Sequence, residues 1–398
     1  MRFYVIGIDD NSNQNFTDEV EAIIERSRVF SGGVRHHQIV ADLLPQCCEW
    51  IDITPPMDSL FERYTSHDEI VVFASGDPLF FGFAQTIQRR IPTAEVITFP
   101  HFNSLQQLAH RLTLPYQQMH AVSLTGRDWD RFDSALIGGE PMIGVLTDNR
   151  NHTPQKIAQR MVDYGYTNYS ISVGELLGNA AHERVFRALS VEEVAGREFN
   201  YPNNMILEQK HSKKRHFGIP DSEFTLLDGR EKMITKRAIR LMSLSMLDLH
   251  NAHTLWDIGF CTGSVSIEAK LQFAHLAVQA FEIREGCDEI IECNMRKFGA
   301  PGIKYIIGDF CQTDIRELPP PDAVFIGGHG GKLKEIISKV YPLLATRGSI
   351  VFNSVSAESY ELLLDALSQY EVEVTKTSIT VDDFNKITIF KATKLESK

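Results

Sequence analysis

The segment LWDIGFCTG at residues 255–263 constrains the fold of this chain most, because an apolar run ends there in a glycine-rich turn before a helix-like stretch. The pattern predicts a β-strand, a tight turn and an α-helix, the unit that opens a doubly wound sheet. Gly259 and Gly263 would let the main chain approach a ligand closely. The loop alone leaves open a dinucleotide that transfers hydride and a nucleoside cofactor that transfers methyl groups.

The segments around this loop alternate between strand-like and helix-like patterns, which predicts a doubly wound parallel sheet. Strands are predicted at residues 254–258, 277–283, 303–307, 323–326 and 349–353, with helices at 264–273 and 333–344 between them. Two further β-rich runs, 372–381 and 386–391, flank the short turn DDFN at 382–385, so we expect a last strand antiparallel to its neighbour. That ending is typical of Rossmann-like methyltransferases.

Three carboxylates stand at successive predicted strand ends. Asp257 precedes the loop, and Glu282 ends the next strand, where an acid binds the ribose hydroxyls of a nucleoside. Asp309 follows the third strand, where it can accept from an adenine amine while Phe310 or its backbone flanks the ring. Each acid alone could be an ordinary strand-end residue. Together they favour a cationic sulfonium, because Asp257 would repel a pyrophosphate.

We therefore predict that this part of the chain binds S-adenosylmethionine. The predicted cofactor-binding residues are Asp257, Gly259, Phe260, Cys261, Thr262, Gly263, Glu282, Asp309 and Phe310.

The first half of the chain predicts a separate α/β domain. Apolar runs at residues 2–8, 69–74, 94–98, 142–146 and 169–173 alternate with helix-like stretches at 104–111 and 153–164. Ser104 and Thr153 are the predicted N-caps of those helices. The polar, basic segment KHSKKRH at 210–216 is interpreted as a solvated linker, so we expect domains at 1–209 and 217–398.

Composition narrows the classes of partner. The 398 residues exceed what one core usually supports, and the formal charge of −12 argues against a nucleic-acid backbone as the main partner. The six cysteines form no CxxC pair or zinc-like spacing, so we expect reduced thiols and no metal site. With no signal-peptide pattern and no uninterrupted apolar run of about 18 residues, we expect a cytoplasmic protein that does not bind membranes.

Motifs in the second half resemble the decarboxylating precorrin methyltransferases of corrin biosynthesis, which methylate carbon 15. The similar segments are MITKRAIR at 233–240, the glycine loop, and PPDAVFIGGHGG at 320–331. The threonine of the first segment contacts S-adenosylmethionine in that family, so the resemblance implies this role for Thr235. Family loops usually carry small residues where this chain has Phe260 and Cys261.

Motifs in the first half resemble the tetrapyrrole methylases, whose two-lobed fold holds S-adenosylmethionine between α/β lobes. The signature SGDP at 75–78 is accompanied by GGVRH at 32–36, HFNS at 101–104, SLTGR at 123–127 and VLTDN at 145–149. The resemblance implies cofactor contacts from Gly76, Asp77, Asn103, Ser104 and Thr147. The chain departs from the family at GIDDN, residues 7–11, where these methylases carry Gly-x-Gly-Pro-Gly.

The domain order is similar to that of the fused bifunctional precorrin methyltransferases. The resemblance implies methylation of a precorrin or cobalt-precorrin at carbons 5 and 15, with decarboxylation of an acetate arm, and assembly as a homo-oligomer. Such a polyanionic tetrapyrrole needs local cations. Arg35, His36, Lys236 and Arg240 are predicted to bind the substrate, and Arg237 and His329 to position it at the reaction centre. The alternative for Lys236, Arg237 and Arg240 is a solvated helix face.

Two other functions remain open at this stage. An RNA methyltransferase could share the tetrapyrrole-methylase fold, although the negative net charge opposes it. Alternatively, the first domain, with its altered loop, could bind cofactor without catalysing a reaction.

Overall fold

The computed structural model describes residues 1–11, 13–228, 230, 233–381 and 386–396, and the chain divides into two compact units. Unit 1 comprises Met1–Arg127, Pro141–Gln159 and Thr167–Lys210. Unit 2 comprises Asp128–Glu140, Arg160–Tyr166 and His211–Lys398. The sequence predicts an uninterrupted first domain at 1–209, whereas two short segments within that range belong to unit 2.

Unit 1 is built on two sheets. The first consists of parallel strands in the order β3-β2-β4-β1-β5, and the second is mixed, in the order β6-β7-β10-β8-β9. The strands are β1 Arg2–Ile8, β2 Val29–Gly32, β3 Glu49–Asp52, β4 Glu69–Ser75, β5 Glu95–Phe99, β6 His120–Ser123, β7 Met142–Leu146, β8 Tyr169–Glu175, β9 Arg184–Ser190 and β10 Asn203–Gln209. This architecture confirms the two-lobed α/β fold predicted for the first half.

Helices connect these strands. They are α1 Asp18–Arg26, α2 Val34–Val40, α3 Met57–Tyr64, α4 Phe83–Arg90, α5 Ser104–Leu112, α6 Asp130–Gly138, α7 Pro154–Asp163 and α8 Val191–Ala195, of which α6 and the end of α7 belong to unit 2. The predicted cap Ser104 is wrong. Asn103 caps α5 instead, because its side chain accepts from the Gln106 N–H at 2.9 Å while the Gln106 side chain accepts from the Asn103 N–H at 3.0 Å.

Unit 2 contains a seven-stranded sheet in the order β13-β12-β11-β14-β15-β17-β16. Its strands are β11 Thr254–Ile258, β12 Ala277–Glu282, β13 Ile303–Ile307, β14 Ala323–Ile326, β15 Ser349–Ser354, β16 Val372–Ile379 and β17 Ile387–Lys394. Strands β11 to β15 pair in parallel, and β17 lies antiparallel between β15 and β16. The predicted Rossmann-like sheet with an antiparallel last strand is confirmed, while the turn at 382–385 lies outside the described residues.

The helices of this unit pack on that sheet. They are α9 Arg237–Leu247, α10 Ser264–Gln272, α11 Cys287–Phe298, α12 Leu333–Val340 and α13 Ala357–Leu367. One core cluster surrounds the buried Trp256, whose ring meets Phe281 edge-on at 5.5 Å. Because this core fixes β11 and β12, it also fixes the loops at their carboxyl ends.

Residues of the predicted linker pack against unit 2. The carbonyl of His216 accepts a hydrogen bond from Gln272 Nε2 at 2.6 Å, and its ring lies edge-on to Phe298. Lys213 places its ammonium 3.9 Å from the centre of the Tyr166 ring, and burial lowers its pKa to about 8. The interpretation of 210–216 as a solvated connector is therefore wrong at these residues.

Within the described ranges, no helix is long and apolar enough to cross a bilayer. The same residues hold no group of three or more His, Cys, Asp or Glu side chains that could bind a metal ion.

Candidate active sites

The glycine loop of unit 2 lies between β11 and α10. Strand β11 has β12 on one side and β14 on the other, so the order of the strands reverses at β11. Ligands of such sheets bind at this switch point, outside the carboxyl ends of the strands. Gly259 has a φ of +82°, and a Cβ there would stand 2.6 Å from the Gly328 nitrogen. Gly263 has a φ of +72° and would place a Cβ 2.5 Å from Ile291. The close approach that these glycines permit is to the protein itself, which revises the reason that the sequence suggested.

Asp257 is fully buried at the end of β11. Its Oδ2 accepts hydrogen bonds from the Ser266 N–H at 3.2 Å and the Ser266 hydroxyl at 2.6 Å. Its Oδ1 is buried and has no hydrogen-bond partner among the described residues. Burial raises the pKa of Asp257 to about 7, against the opposing effect of the Ser266 hydrogen bonds. A buried acceptor in this state favours a ligand that brings a donor or a positive charge.

Glu282 ties the end of β12 to the glycine loop. Its Oε2 accepts from the Cys261 N–H at 2.9 Å. Its Oε1 accepts from the N–H groups of Ile283 at 2.9 Å and Arg284 at 3.1 Å, and from Arg284 Nη1 at 2.8 Å. The carboxylate is thus held in a fixed orientation beside the loop.

Asp309 follows β13 at the same edge of the sheet. Its Oδ2 lies 2.6 Å from Lys332 Nζ and its Oδ1 accepts from the Cys311 N–H at 3.0 Å, and the hydrogen bond from Lys332 lowers the pKa of Asp309. The ring of Phe310 is buried and packs edge-on against Phe281 at 4.9 Å. Of the two alternatives predicted for Phe310, only its backbone can flank a ligand.

The side chains of the loop point into the protein. Phe260, Cys261 and Thr262 are each at most 7% exposed, and Cys261 has a positive φ of 47°. The Thr262 hydroxyl, like Asp257 Oδ1, lacks a partner among the described residues. The loop can therefore meet a ligand through its backbone, whereas contacts from the side chains of Phe260 and Cys261 are not supported.

Three glycines at this edge of the sheet border open space. Gly286, Gly308 and Gly328 follow three of the strands, and a Cβ built on any of them would have no other atom within 4 Å. The edge thus combines open surface, carboxylate acceptors and the partnerless oxygen of Asp257. These features suit a ligand with hydroxyl and amine donors and a positive charge, as S-adenosylmethionine has.

The residues of the basic segment 233–240, which runs into the start of α9, differ in their exposure. Thr235 is half-buried beside the start of the helix, Lys236 lies 3.8 Å from Asp221, and Arg237 is exposed. Arg240 is fully buried, so it cannot bind a substrate and this prediction is wrong. The alternative of a solvated stripe is also wrong for Arg240.

The buried guanidinium of Arg240 pairs with Glu268 across 3.1 Å and donates to the carbonyls of Ile219 and Thr235. Glu268 in turn accepts from the N–H groups of Gly218 and Ile219 at 2.5 and 3.2 Å. The pair is a structural clamp that ties the chain before α9 to α10.

His329 lies in the glycine-rich loop after β14. Its Nδ1 accepts from the Gly331 N–H at 3.1 Å, its ring meets Phe352 edge-on, and burial lowers its pKa. A largely neutral imidazole at this edge can donate a hydrogen bond through Nε2 near neutral pH.

Unit 1 has a cavity of about 390 Å³ between its two sheets. Of the predicted site residues, Arg35, His36, Gly76, Asn103, Ser104 and Thr147 line it. Gly76 has a φ of +63° and would place a Cβ 2.6 Å from the Asn103 Cα, so the ends of β4 and β5 meet there through their backbones. Asp77 is not among the lining residues, and its carboxylate accepts from the Leu79 N–H at 2.8 Å to hold the turn.

A polar cluster occupies one wall of this cavity. Arg35 Nη1 pairs with Asp10 at 2.8 Å, and Ser75 Oγ contacts Arg35 Nη2 at 3.2 Å and His36 Nε2 at 2.8 Å. Burial and the neighbouring Arg35 lower the pKa of His36 to about 4, so its ring is neutral at pH 7. The prediction of His36 as a cation for the substrate is therefore wrong in its charge, although its place in the cavity is retained.

Sequence reasoning missed several cavity residues. Asp10, Ser75 and Asn203 line the cavity. The Thr147 hydroxyl can donate to the backbone carbonyl of Asn203 at 2.6 Å or to its Oδ1 at 2.7 Å. The unusual GIDDN segment was the signal for Asp10, since this acid stands where the family loop carries its proline. The signal for Ser75 was its position in SGDP.

Comparison with known proteins shows which family the chain is similar to. Residues 228–394 match the model of the precorrin methyltransferase domain. A Sinorhizobium protein named precorrin-6Y C(5,15)-methyltransferase [decarboxylating] is 30% identical over 365 residues, which cover 91% of this chain and 86% of that protein.

Two shorter relatives are also similar. The Salmonella typhimurium cobalt-precorrin-6B C(15)-methyltransferase (decarboxylating) is 36% identical over 142 residues, covering 36% of this chain and 72% of its own length. A crystal structure of a precorrin-6Y C5,15-methyltransferase from Geobacter metallireducens covers 45% of this chain and 97% of its own, with 34% identity and a TM-score of 0.41.

Proposed function

The chain belongs to the family of decarboxylating precorrin-6Y C(5,15)-methyltransferases, enzymes of cobalamin biosynthesis, and we propose that each of its two units carries one S-adenosylmethionine-dependent methylation site. Unit 2 methylates carbon 15 of a precorrin or cobalt-precorrin and assists decarboxylation of the ring acetate arm. Unit 1 methylates carbon 5.

The observation that carries the proposal for unit 2 is the set of three carboxylates at the carboxyl ends of β11, β12 and β13. The hydrogen bond from the Cys261 N–H fixes Glu282, which we propose binds the ribose hydroxyls. Asp309, which accepts from the Cys311 N–H, is the proposed acceptor for the adenine amine. Asp257, with a partnerless Oδ1 under the loop, favours the positively charged methionine part. Thr235 and the loop backbone complete the proposed contacts.

S-Adenosylmethionine supplies an electrophilic methyl group on a sulfonium when it is bound. The residues of the chain contribute orientation and exclusion of water, which is what an in-line methyl transfer chiefly needs. His329, in the loop after β14, and Arg237, the first residue of α9, are the candidate donors toward the substrate. We propose that they position its carboxylates, with Lys236 as a further substrate contact.

In unit 1, the cavity between the two sheets is the proposed cofactor site. Gly76, Asn103, Ser104 and Thr147 line it, while Asp77 shapes the turn at its edge. Arg35 is the proposed substrate cation there, with His36 as a neutral hydrogen-bonding partner. We also propose that the protein is a cytoplasmic homo-oligomer that does not act on nucleic acid.

The test incubates the full chain and S-adenosylmethionine carrying a ¹³C-methyl group with a precorrin-6Y or its cobalt form, and with ribosomal RNA in a parallel reaction. We expect two methyl groups on the tetrapyrrole, assigned to carbons 5 and 15 by NMR, and loss of one carboxyl as carbon dioxide. Label in RNA alone would contradict the proposal. A single methyl group at carbon 15 would show that unit 1 does not catalyse its step. Preference for precorrin-6Y or for its cobalt form would settle whether the substrate ring already contains cobalt.

A further inference from the structure

Arg284 and a cofactor ribose are alternative partners of one carboxylate oxygen. Glu282 Oε1 already accepts from the Ile283 N–H, the Arg284 N–H and Arg284 Nη1. An oxygen with two lone pairs has no room for a further strong donor. The two backbone donors are fixed by the turn, so a ribose hydroxyl can bind Oε1 only if the guanidinium moves away.

Lys332 stands in the same relation to Asp309. Its ammonium lies 2.6 Å from Asp309 Oδ2, the oxygen that the adjacent Cys311 N–H leaves available. Asp309 follows β13 and Lys332 follows β14, and β12 and β11 lie between those strands in the sheet. This ion pair therefore reaches across the strand ends where the proposed cofactor lies.

The cations of both ion pairs are open to solvent. The side chains of Arg284 and Lys332 are 34% and 43% exposed, whereas those of Glu282 and Asp309 are 0% and 23% exposed. Water screens the cations, and hydroxyl and amine groups of a ligand would satisfy the carboxylates that the cations leave.

The surface beside these cations matches a tetrapyrrole. Ile283 and Val355 are 59% and 65% exposed at this edge, and a Cβ on Gly330 or Gly331 would have no other atom within 4 Å. The substrate of this family is a large, partly apolar ring with carboxylates on its rim. A chain of net charge −12 must bind it through local cations of this kind.

We propose that Arg284 and Lys332 exchange partners during the reaction cycle: cofactor binding displaces them from Glu282 and Asp309, and they then bind carboxylates of the tetrapyrrole. The proposal rests on the cofactor site of unit 2 described above. It makes binding ordered, with S-adenosylmethionine first, because the substrate's cations become available only when the cofactor occupies their carboxylates.

The test uses Arg284→Gln and Lys332→Gln in the full chain. Calorimetry without tetrapyrrole measures the cofactor Kd of unit 2. The binding event of unit 2 is identified as the one that Glu282→Gln weakens. We expect each variant to bind S-adenosylmethionine about two- to five-fold more tightly, since a weak competing ion pair is gone. At saturating cofactor, we expect the tetrapyrrole KM for carbon-15 methylation to rise about ten-fold or more.

Arg347→Gln is the matched control. Arg347 is an exposed arginine paired with Glu396 at 2.9 Å, and it lies just before β15, at the opposite edge of the sheet. Weaker cofactor binding in Arg284→Gln or Lys332→Gln, or a tetrapyrrole KM equal to that of the control, would overturn the proposal. If the wild-type chain shows no binding event sensitive to Glu282→Gln, the cofactor site itself is refuted, a result distinct from failure of the exchange alone.

Binding order gives a readout independent of turnover. S-Adenosylhomocysteine should lower the tetrapyrrole Kd of the wild-type chain, and this gain should shrink in both variants. Equal tetrapyrrole affinity with and without S-adenosylhomocysteine would contradict the exchange.

Discussion

The backbone N–H of Cys261 donates a hydrogen bond to Glu282 Oε2 across 2.9 Å, which links the glycine loop to the end of the neighbouring strand. The contact fixes the orientation of the acid that is proposed to bind the cofactor ribose. It also explains why an unusual residue is tolerated at position 261, since the backbone rather than the thiol makes the contact.

Glu282→Gln should weaken S-adenosylmethionine binding by unit 2 about ten- to hundred-fold, because a charge-assisted acceptor becomes a neutral amide. Carbon-15 methylation should fall accordingly, while carbon-5 methylation by unit 1 should be retained. Calorimetry and NMR of the methylated product measure the two effects. Glu289→Gln, an exposed acid on α11, is the control and should behave as wild type; equal cofactor affinity in the two variants would refute the role of Glu282.

Cofactor binding should depend on pH through Asp257. Its pKa of about 7 exceeds the ordinary 3.8, so a cation beside it favours ionisation and releases a proton near neutral pH. The affinity should rise as pH increases through about 7, and the binding enthalpy should vary with the ionisation enthalpy of the buffer.

The same raised pKa affects folding. Protonation of Asp257 favours the folded state, so its stabilising contribution is present at low pH and is lost as pH rises from about 4 to about 7. Asp257→Asn should remove both this part of the pH dependence of the unfolding free energy and the buffer dependence of binding. Unchanged profiles in the variant would exclude Asp257 as their source.

Gly259→Ala should destabilise unit 2 by about 2 kcal/mol or more, because it adds a clash with the Gly328 backbone to the strain of a positive φ. Gly286→Ala is a close control, since its φ of +80° nearly equals the +82° of Gly259 while its Cβ would meet open space. It should cost only about 1 kcal/mol. Thermal unfolding compares them, and equal losses would show that the packing on Gly328 is unimportant.

Arg240→Met should lower the free energy of unfolding by about 3–5 kcal/mol, because it leaves Glu268 buried without its charge partner. Arg237→Met, an exposed neighbour on the same helix, should change it by less than about 0.5 kcal/mol. Denaturant titration measures both. If Arg240→Met is as stable as wild type but has a raised tetrapyrrole KM, the structural assignment of Arg240 is wrong.

His36 should remain neutral down to about pH 4. Its folded-state pKa lies below the ordinary 6.5, so the folded state is disfavoured as pH falls from about 6.5 to about 4 and gains nothing further above that range. NMR titration of the ring should show no inflection near 6.5. His36→Gln should lose less stability between pH 7 and pH 4.5 than wild type does, and an inflection near 6.5 would contradict the buried environment.

The sequence predicts the sheet of unit 2 well because its strands are short apolar runs that end in recognisable turns. Residues such as Asp257 and Glu282 can be placed at one edge from strand order alone. Whether a helical side chain faces the core or the solvent could not be predicted in the same way. Arg240 follows Arg237 by three positions, but α9 begins at Arg237 and turns Arg240 inward.

Ion pairs between residues far apart in the chain could not be predicted from the sequence either. Asp10 and Arg35, or Asp309 and Lys332, meet only when separate segments of the chain converge beyond the strand ends. Their charges are visible in the sequence, but their partners depend on loop paths that no local pattern specifies.

The clamp between Arg240 and Glu268 should control how often the segment before α9 separates from α10. Because Glu268 accepts hydrogen bonds from the N–H groups of Gly218 and Ile219, these amides should exchange with solvent only when the buried charge pair separates. We therefore expect the amides of Gly218 and Ile219 to be as protected from exchange as those of the α10 core. The same guanidinium donates to the carbonyl of Thr235, so this clamp also holds the residue that is proposed to contact the cofactor.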